Sequence, residues 1–466
     1  MRRTLSGALV TKDLGTSALR TPLFYLWRVY DILISGGCNI YVLHVMAEGR
    51  GIGTVTSYLL RNAAVFDGSS PDLTEDDVVI ENGRIADIGP RLSAANATQV
   101  DLAGQTLIPG IIDAHVHVYA SELNLTSNMR RPWTYLAQYA NGFLRNMLSY
   151  GVTSIRDVGG GDYGLARALA DGLVTGPRLF YGGRLLSATG GHADWRPGQE
   201  DEHDHLPCNC GAIDQKLAVL ADGPDAVLRA VREELRRGAD HIKIVASGGV
   251  ASPNDPVDNL QFTDDEIRTI CDEATRHGRY VAAHCHPAAS VERSVRLGVR
   301  TIEHGTLIDD ATARYVAEQG AYLVPTMAVI FAFYEDGAAY GLPAVSVRKI
   351  GEVVGHAHSG MERMKRAGCN IGFGSDLLGA QHTRHGTEFT LRKDVFTPVE
   401  ILRQATSMNA EILNRSGEIG CIRVGAKADV IAVRGNPLED IELLAAQGRN
   451  LSLIMRDGVV YKNENG

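Results

Sequence analysis

The sequence predicts an α/β protein: a (β/α)8 TIM barrel carrying a small β-sandwich domain formed from both chain ends. Three observations predict it. The middle of the chain alternates short apolar runs with amphipathic helical stretches, the pattern of a parallel sheet covered by helices. Both ends read as β-rich hairpins, so the simplest packing is one β-domain built from the two ends with the middle inserted. Residues with metal-ligating chemistry fall where the apolar runs stop, and a barrel carries its reactive groups at the ends of its strands. The expected divisions are an N-terminal extension over 1–56, the β-domain over 57–109 and 420–466, and the barrel over 110–419. A doubly wound sheet is the alternative architecture.

Tyr58 to Phe66 and Val78-Val79-Ile80 are apolar runs, and Glu81-Asn82-Gly83 followed by Arg84 to Ile88 closes a hairpin. Gln105 to Ile108 continues this unit as a strand. In the middle, Val152 to Val158, Leu179 to Tyr181, His241 to Val245, Tyr280 to Ala283, Thr301 to Glu303, Tyr322 to Pro325 and Asn370 to Gly374 read as strands. Between them, Tyr163 to Asp171, Pro224 to Arg237, Thr263 to His277, Ala288 to Leu297, Asp309 to Gln319 and a long stretch from Val347 to Arg366 read as helices. Thr263 with Glu266 has the spacing of a capping box. At the C-terminal end, Lys427 to Val433, Ser452 to Met455 and Val459 to Tyr461 read as strands, the last two joined at Asp457-Gly458.

Composition narrows the function classes. The 466 residues are 44% hydrophobic and 22% charged, an ordinary globular balance that excludes extensive disorder. A net charge of −9 without a basic stripe argues against nucleic-acid binding. Seven scattered cysteines suggest reduced thiols and a cytoplasmic setting. No apolar run is long enough for a transmembrane helix, so no membrane partner is expected. Arg2 and Arg3 resemble a signal n-region, but Lys12 and Asp13 interrupt any apolar core; the bland reading of 1–56 is a poorly ordered extension, with Met46 a candidate initiator.

His115 and His117 end the run from Ile111, and a spacing of two puts both imidazoles on one strand face. Two neutral imidazoles so placed grip a metal ion; alone, the pair is equally a chance feature of a turn. Lys243 sits in the apolar run His241 to Val245. Pointing inward it needs neutralising, for instance as a CO2-derived carbamate; pointing outward it snorkels, and spacing does not choose between these. His284 and His286 follow one strand, His304 another and Asp376 a third. Histidines at three strand ends with a terminal Asp make a metal site the preferred reading. The segment holding His203, His205, Cys208 and Cys210 lacks zinc-finger spacing and reads as a lid loop. His356 and His358 fall on a predicted helix, where positions two apart diverge, and read as surface residues.

The segments LIPGIIDAHVHV, ADHIKIVASGGVASP, YVAAHCH, TIEHG and GFGSD resemble the amidohydrolase superfamily, in its imidazolonepropionase-like branch, which includes prolidase-type metallo-dipeptidases and ochratoxinase-like amidases. The resemblance spans about residues 57 to 464. It implies two divalent ions, zinc first, with His115, His117 and Asp376 on the more buried one, His284 and His304 on the second, and carboxylated Lys243 and a hydroxide between them. The charges of such a site then have Asp376 take the hydroxide proton and deliver it to the leaving nitrogen, while His286 reads equally as a contact to the carbonyl or a substrate carboxylate and as a residue supporting the ligands. The resemblance also implies that His192 contacts substrate; His382 and His385, on the loop after Asp376, are further candidates, one of them for a substrate contact.

The expected activity is cleavage of an amide bond in a dipeptide or N-acyl amino acid, by a cytoplasmic homo-oligomer whose partner is a small-molecule or dipeptide substrate. Cyclic-amide or lactone opening at the same site is the alternative. A deaminase ranks third, because Lys243 is present and the nearest Glu after His286 is Glu292. A catalytically inactive scaffold is disfavoured by six intact candidate ligands.

Overall fold

The structure, a computed structural model, describes residues 29–36, 39–46, 57–196, 216–252 and 255–465. The chain divides into two compact units, Met1–Val55 and Thr56–Gly466. In the first, where the sequence alone assigns no element, β1 (Val29–Gly36) pairs antiparallel with β2 (Asn39–Met46). The signal-like residues Arg2, Arg3, Lys12 and Asp13, and the segment from His203 to Cys210, lie outside the described residues.

The second unit opens with β3 (Tyr58–Val65), β4 (Thr74–Glu81), β5 (Arg84–Gly89), β6 (Thr98–Asp101) and β7 (Thr106–Pro109). Next come β8 (Ile111–Val116), α1 (Leu125–Met129), α2 (Trp133–Ser149), β9 (Val152–Asp157), α3 (Tyr163–Ala170), β10 (Arg178–Tyr181), β11 (Leu185–Ser187) and β12 (Ala218–Leu220). Alternation continues through α4 (Pro224–Arg236), β13 (Ile242–Val245), α5 (Asp264–Arg276), β14 (Val281–Pro287), α6 (Ala288–Arg296), β15 (Thr301–Leu307), α7 (Asp310–Glu318) and β16 (Tyr322–Val324). After α8 (Met327–Asp336), α9 (Ala344–Val354), α10 (Ala357–Ala367) and β17 (Asn370–Ile371), the chain closes with β18 (Val430–Val433), β19 (Leu451–Arg456) and β20 (Val459–Asn463).

The two chain ends do combine. They form one eight-stranded sheet, ordered β20-β19-β18-β7-β3-β4-β5 with β6 beside β3. The expected β-sandwich is not shown: the described strands of the two ends lie in this one sheet, which curls, with Ile85 N–H donating to Ala426 O at 2.9 Å and Ala428 N–H to Gly83 O at 2.9 Å. Its concave side buries Leu60, Val78, Ile80, Leu107, Val430 and Leu453. Curling gives these residues a core without a second sheet to cover them.

The middle strands run parallel, as the alternation predicts, in two sheets ordered β10-β9-β8 and β12-β11-β13-β14-β15-β16-β17. Hydrogen bonds join the two sheets at both seams. Ala114 N–H donates to Phe373 O at 2.9 Å and Asp376 N–H to His115 O at 2.8 Å. On the other side, Asp240 N–H donates to Tyr181 O at 2.8 Å. Helices cover the outer faces; α5 starts at the predicted capping box of Thr263 and Glu266. The single helix expected over Val347 to Arg366 is instead two, α9 and α10, broken at Gly355 and His356. The break lets α10 lay Gly360 against β15, where a Cβ would stand 2.6 Å from Thr306 O.

Candidate metal centre

The six predicted ligands converge. His115, His117, Lys243, His284, His304 and Asp376 all line one cavity. Lys243 is therefore inward-facing, and it is buried. His115 Nε2 and His117 Nε2 each stand 3.4 Å from Asp376 Oδ1, and His304 Nδ1 stands 4.0 Å from Oδ2. Ring centroids are 5.1 Å apart for His115 and His304 and 4.5 Å for His284 and His304. Ligand atoms of His115, His304 and Asp376 all fall within 4.8 Å of one another, a grouping that suits a metal ion.

Hydrogen bonds aim the rings. His117 Nδ1 lies 2.9 Å from Gly159 O and His284 Nε2 lies 3.2 Å from Gly248 O. A carbonyl oxygen only accepts, so these nitrogens carry the protons and the opposite ones keep lone pairs. His304 Nδ1 pairs with Thr326 Oγ1 at 2.7 Å, and His115 Nδ1 with Glu303 Oε2 at 2.8 Å. Burial lowers the pKa of His115, His284 and His304 well below the ordinary imidazole value, and that of His117 to about 4. Neutral rings with directed lone pairs are what cation binding requires. Burial also pushes the Lys243 amine down and the Asp376 carboxyl up. His304, Asp376 and Thr326 adopt positive φ of 72°, 53° and 49°. Non-glycine residues held there cost on the order of 1–3 kcal/mol each, and such strain clusters at functional sites.

Of the other predicted residues, His192 and His286 line the same cavity. His192 stacks on His284 at 4.3 Å, and its Nδ1 is 2.7 Å from Ser252 Oγ and 3.5 Å from Asp255 Oδ2. His286 Nδ1 is 3.3 Å from Thr306 Oγ1, and burial lowers its pKa to about 3. His382 is placed differently. It is absent from the cavity wall among the described residues and packs against Phe143 at 4.2 Å, bonded to Tyr139 OH at 2.6 Å. Tyr139 and Phe143, both on α2, are its ring neighbours. His385 instead pairs with Asp113 Oδ2 at 3.1 Å. His358 is half-buried near Asp394, at 3.7 Å, away from the site.

Sequence reasoning missed Arg156, Glu303, Thr326, Ser252 and Asp255, all buried around the cluster. The signal for two of them was present: charges inside segments read as strands, Arg156 in VTSIRD and Glu303 in TIEHGTL.

The Amidohydrolase family profile matches residues 106–460. Ochratoxinase from Aspergillus niger is 30% identical over 412 residues, covering 86% of this chain and 83% of that protein. Among solved structures, an amidohydrolase is 46% identical with a TM-score of 0.85, covering 88% of this chain and 100% of that one. A prolidase complexed with N-methylphosphonate-L-proline is 43% identical with a TM-score of 0.85 over the same shares. The match reaches from β7 to β20 and takes in every residue of the cluster, so the chain belongs to the amidohydrolase family and is a hydrolase acting on amide or peptide bonds.

Proposed function

We propose that the chain is a binuclear metal-dependent amidohydrolase that cleaves an amide bond in a dipeptide or an N-acyl amino acid. The observation that carries this is the convergence of four neutral imidazoles, a lysine and a carboxylate on one cavity. In this reading the two parallel sheets close through their seam hydrogen bonds into one (β/α)8 barrel over 110–419, and the curled sheet buttresses it.

His115, His117 and Asp376 would hold one divalent cation and His284 and His304 the other, with Lys243 between them as a carbamate. Zinc suits the imidazole-rich set. Burial favours the neutral Lys243 amine, the form that adds to CO2 with loss of one proton. Bound cations of this kind lower the pKa of water and polarise a carbonyl.

The chain's own groups do the rest. Asp376 accepts the proton of the attacking water and returns it to the leaving nitrogen. His286 and His192 orient the carbonyl and the free carboxylate of the substrate. Trp195, Val329, Ile330, Phe333 and Ile350 form an apolar wall that excludes water and receives the substrate side chains. Lys243 and Asp376 are the only Lys, Arg, Asp or Glu among the described lining residues, so uncharged side chains are favoured. The phosphonate-proline ligand of the related prolidase and the relationship to ochratoxinase support the same substrate class.

The test is a hydrolysis screen of dipeptides and N-acyl amino acids with zinc and bicarbonate present. Cleavage of members with apolar residues is expected, and activity confined to lactones or aminopurines would overturn the reading. The same reading has the enzyme as a cytoplasmic homo-oligomer. Cys271, Cys285, Cys369 and Cys421 are unpaired, and no described helix is long and apolar enough to cross a membrane. Sizing chromatography tests the oligomer.

A further inference from the structure

The geometry points to Glu303, itself clamped by Arg156, as the residue that fixes the tautomer and aim of His115 for cation binding. This rests on the metal-centre reading above. Glu303 Oε2 sits 2.8 Å from His115 Nδ1, so the ring proton lies between them and Nε2 is left facing Asp376 at 3.4 Å. The carboxylate has little freedom. Arg156 NH2 donates to Oε1 at 2.8 Å and to Oε2 at 2.9 Å, and Thr301 Oγ1 donates to Oε1 at 2.8 Å. Arg156 is fixed in turn, through Nε to Ala114 O at 2.6 Å and through NH1 to Thr301 Oγ1 at 3.0 Å. The network thus ties β8, β9 and β15 together beneath the cluster.

Arg156 and Glu303 are both 0% exposed. A buried ion pair is a poor stabiliser, because desolvation consumes most of the Coulombic gain and apolar residues of similar volume fill the same space. Stability alone therefore does not account for this pair. What it supplies is a charged acceptor at one ligand. His117 and His284 lean on backbone carbonyls and His304 on a hydroxyl, while His115 leans on a carboxylate. A carboxylate acceptor orients the imidazole and makes it a stronger donor to a cation. Glu303 and Arg156 are thus positioning residues, acting through His115.

The experiment compares the full chain with Glu303→Gln and with the double variant Glu303→Gln/Arg156→Met, which removes both charges and leaves no uncompensated guanidinium. Zinc affinity is read by chelator competition, and the ligand field by the absorption spectrum of the cobalt-loaded protein. Melting of the cation-free proteins reads the fold separately. Both variants should lose about 10–100-fold in affinity for one cation and show a shifted cobalt spectrum, with the double variant melting near the parent. Parental zinc affinity and an unshifted spectrum in the double variant would overturn the inference while leaving the metal centre intact. A parent chain that takes up no cation removes the metal-centre reading, and this inference with it.

Discussion

An imidazole ligates a cation only when it is unprotonated and pointed, and at this site both conditions come from neighbours distant in sequence. His117 has its proton drawn to Gly159 O and His304 its Nδ1 held by Thr326, neither of which strand spacing foretold. The candidate ligands were legible because the histidines and Asp376 sit in or just after short apolar runs; their partners were not, since they come from elsewhere in the sequence. Lys243 shows the limit most clearly: it lines the cavity, and its spacing along β13 alone does not distinguish that from an outward direction. In the metal-centre reading, elemental analysis should find near two ions per parent chain. The count should fall sharply in Lys243→Ala, and unchanged content would remove the lysine bridge. Proton linkage gives a second expectation. Burial takes His117 from 6.5 to about 4 and His286 from 6.5 to about 3. Below pH 6.5 the unfolded chain takes up protons that the fold refuses, so the cation-free protein should lose stability as pH falls toward those values. Asp157 acts oppositely between 3.8 and about 6, since its folded carboxyl keeps a proton the unfolded one releases. Burial lowers the pKa of five imidazoles at the cavity and raises those of Asp157 and Asp376, so the net melting temperature should drop on acidification. Calorimetry across that range checks the sign.

At the level of elements, glycine decides how closely backbone and ring approach. A Cβ on Gly249 would stand 2.4 Å from His192 Cε1. Gly249→Ala should therefore displace His192 and raise KM for a carboxylate-bearing substrate more than it lowers kcat, as steady-state kinetics would show. The capping box of α5 was readable because it is local, and Thr263→Ala should cost about 1 kcal/mol in a denaturant titration. The break between α9 and α10 was not readable as a break, because amphipathic spacing resumes after it. It accompanies the close approach of Gly360 to β15, a tertiary fact. Likewise β14 was read as ending before His284 but runs on through Pro287, its extra length set by pairing with β15.

For the molecule as a whole, the alternation of strand and helix and the union of the two chain ends were both visible in the sequence. The form of the end domain was not, because the curl of a sheet depends on which edges meet. β18 lies between β7 and β19, with Val430 opposite both Pro109 and Met455. Removing residues 427–466 would uncover Leu107, Leu60 and Val65. The shortened chain should partition to the insoluble fraction, and soluble protein with parental melting would refute that dependence.

That same pairing constrains how the protein can be made. Thr106 bonds to Gly435, 329 positions later, so β7 leaves the ribosome long before its neighbour exists. Until the last segment is synthesised, one flank of β7 offers unsatisfied amides and a greasy face to any passing chain. Emergence of β18, rather than of the parallel middle strands, should be the moment at which the exposure of β7 to aggregation ends.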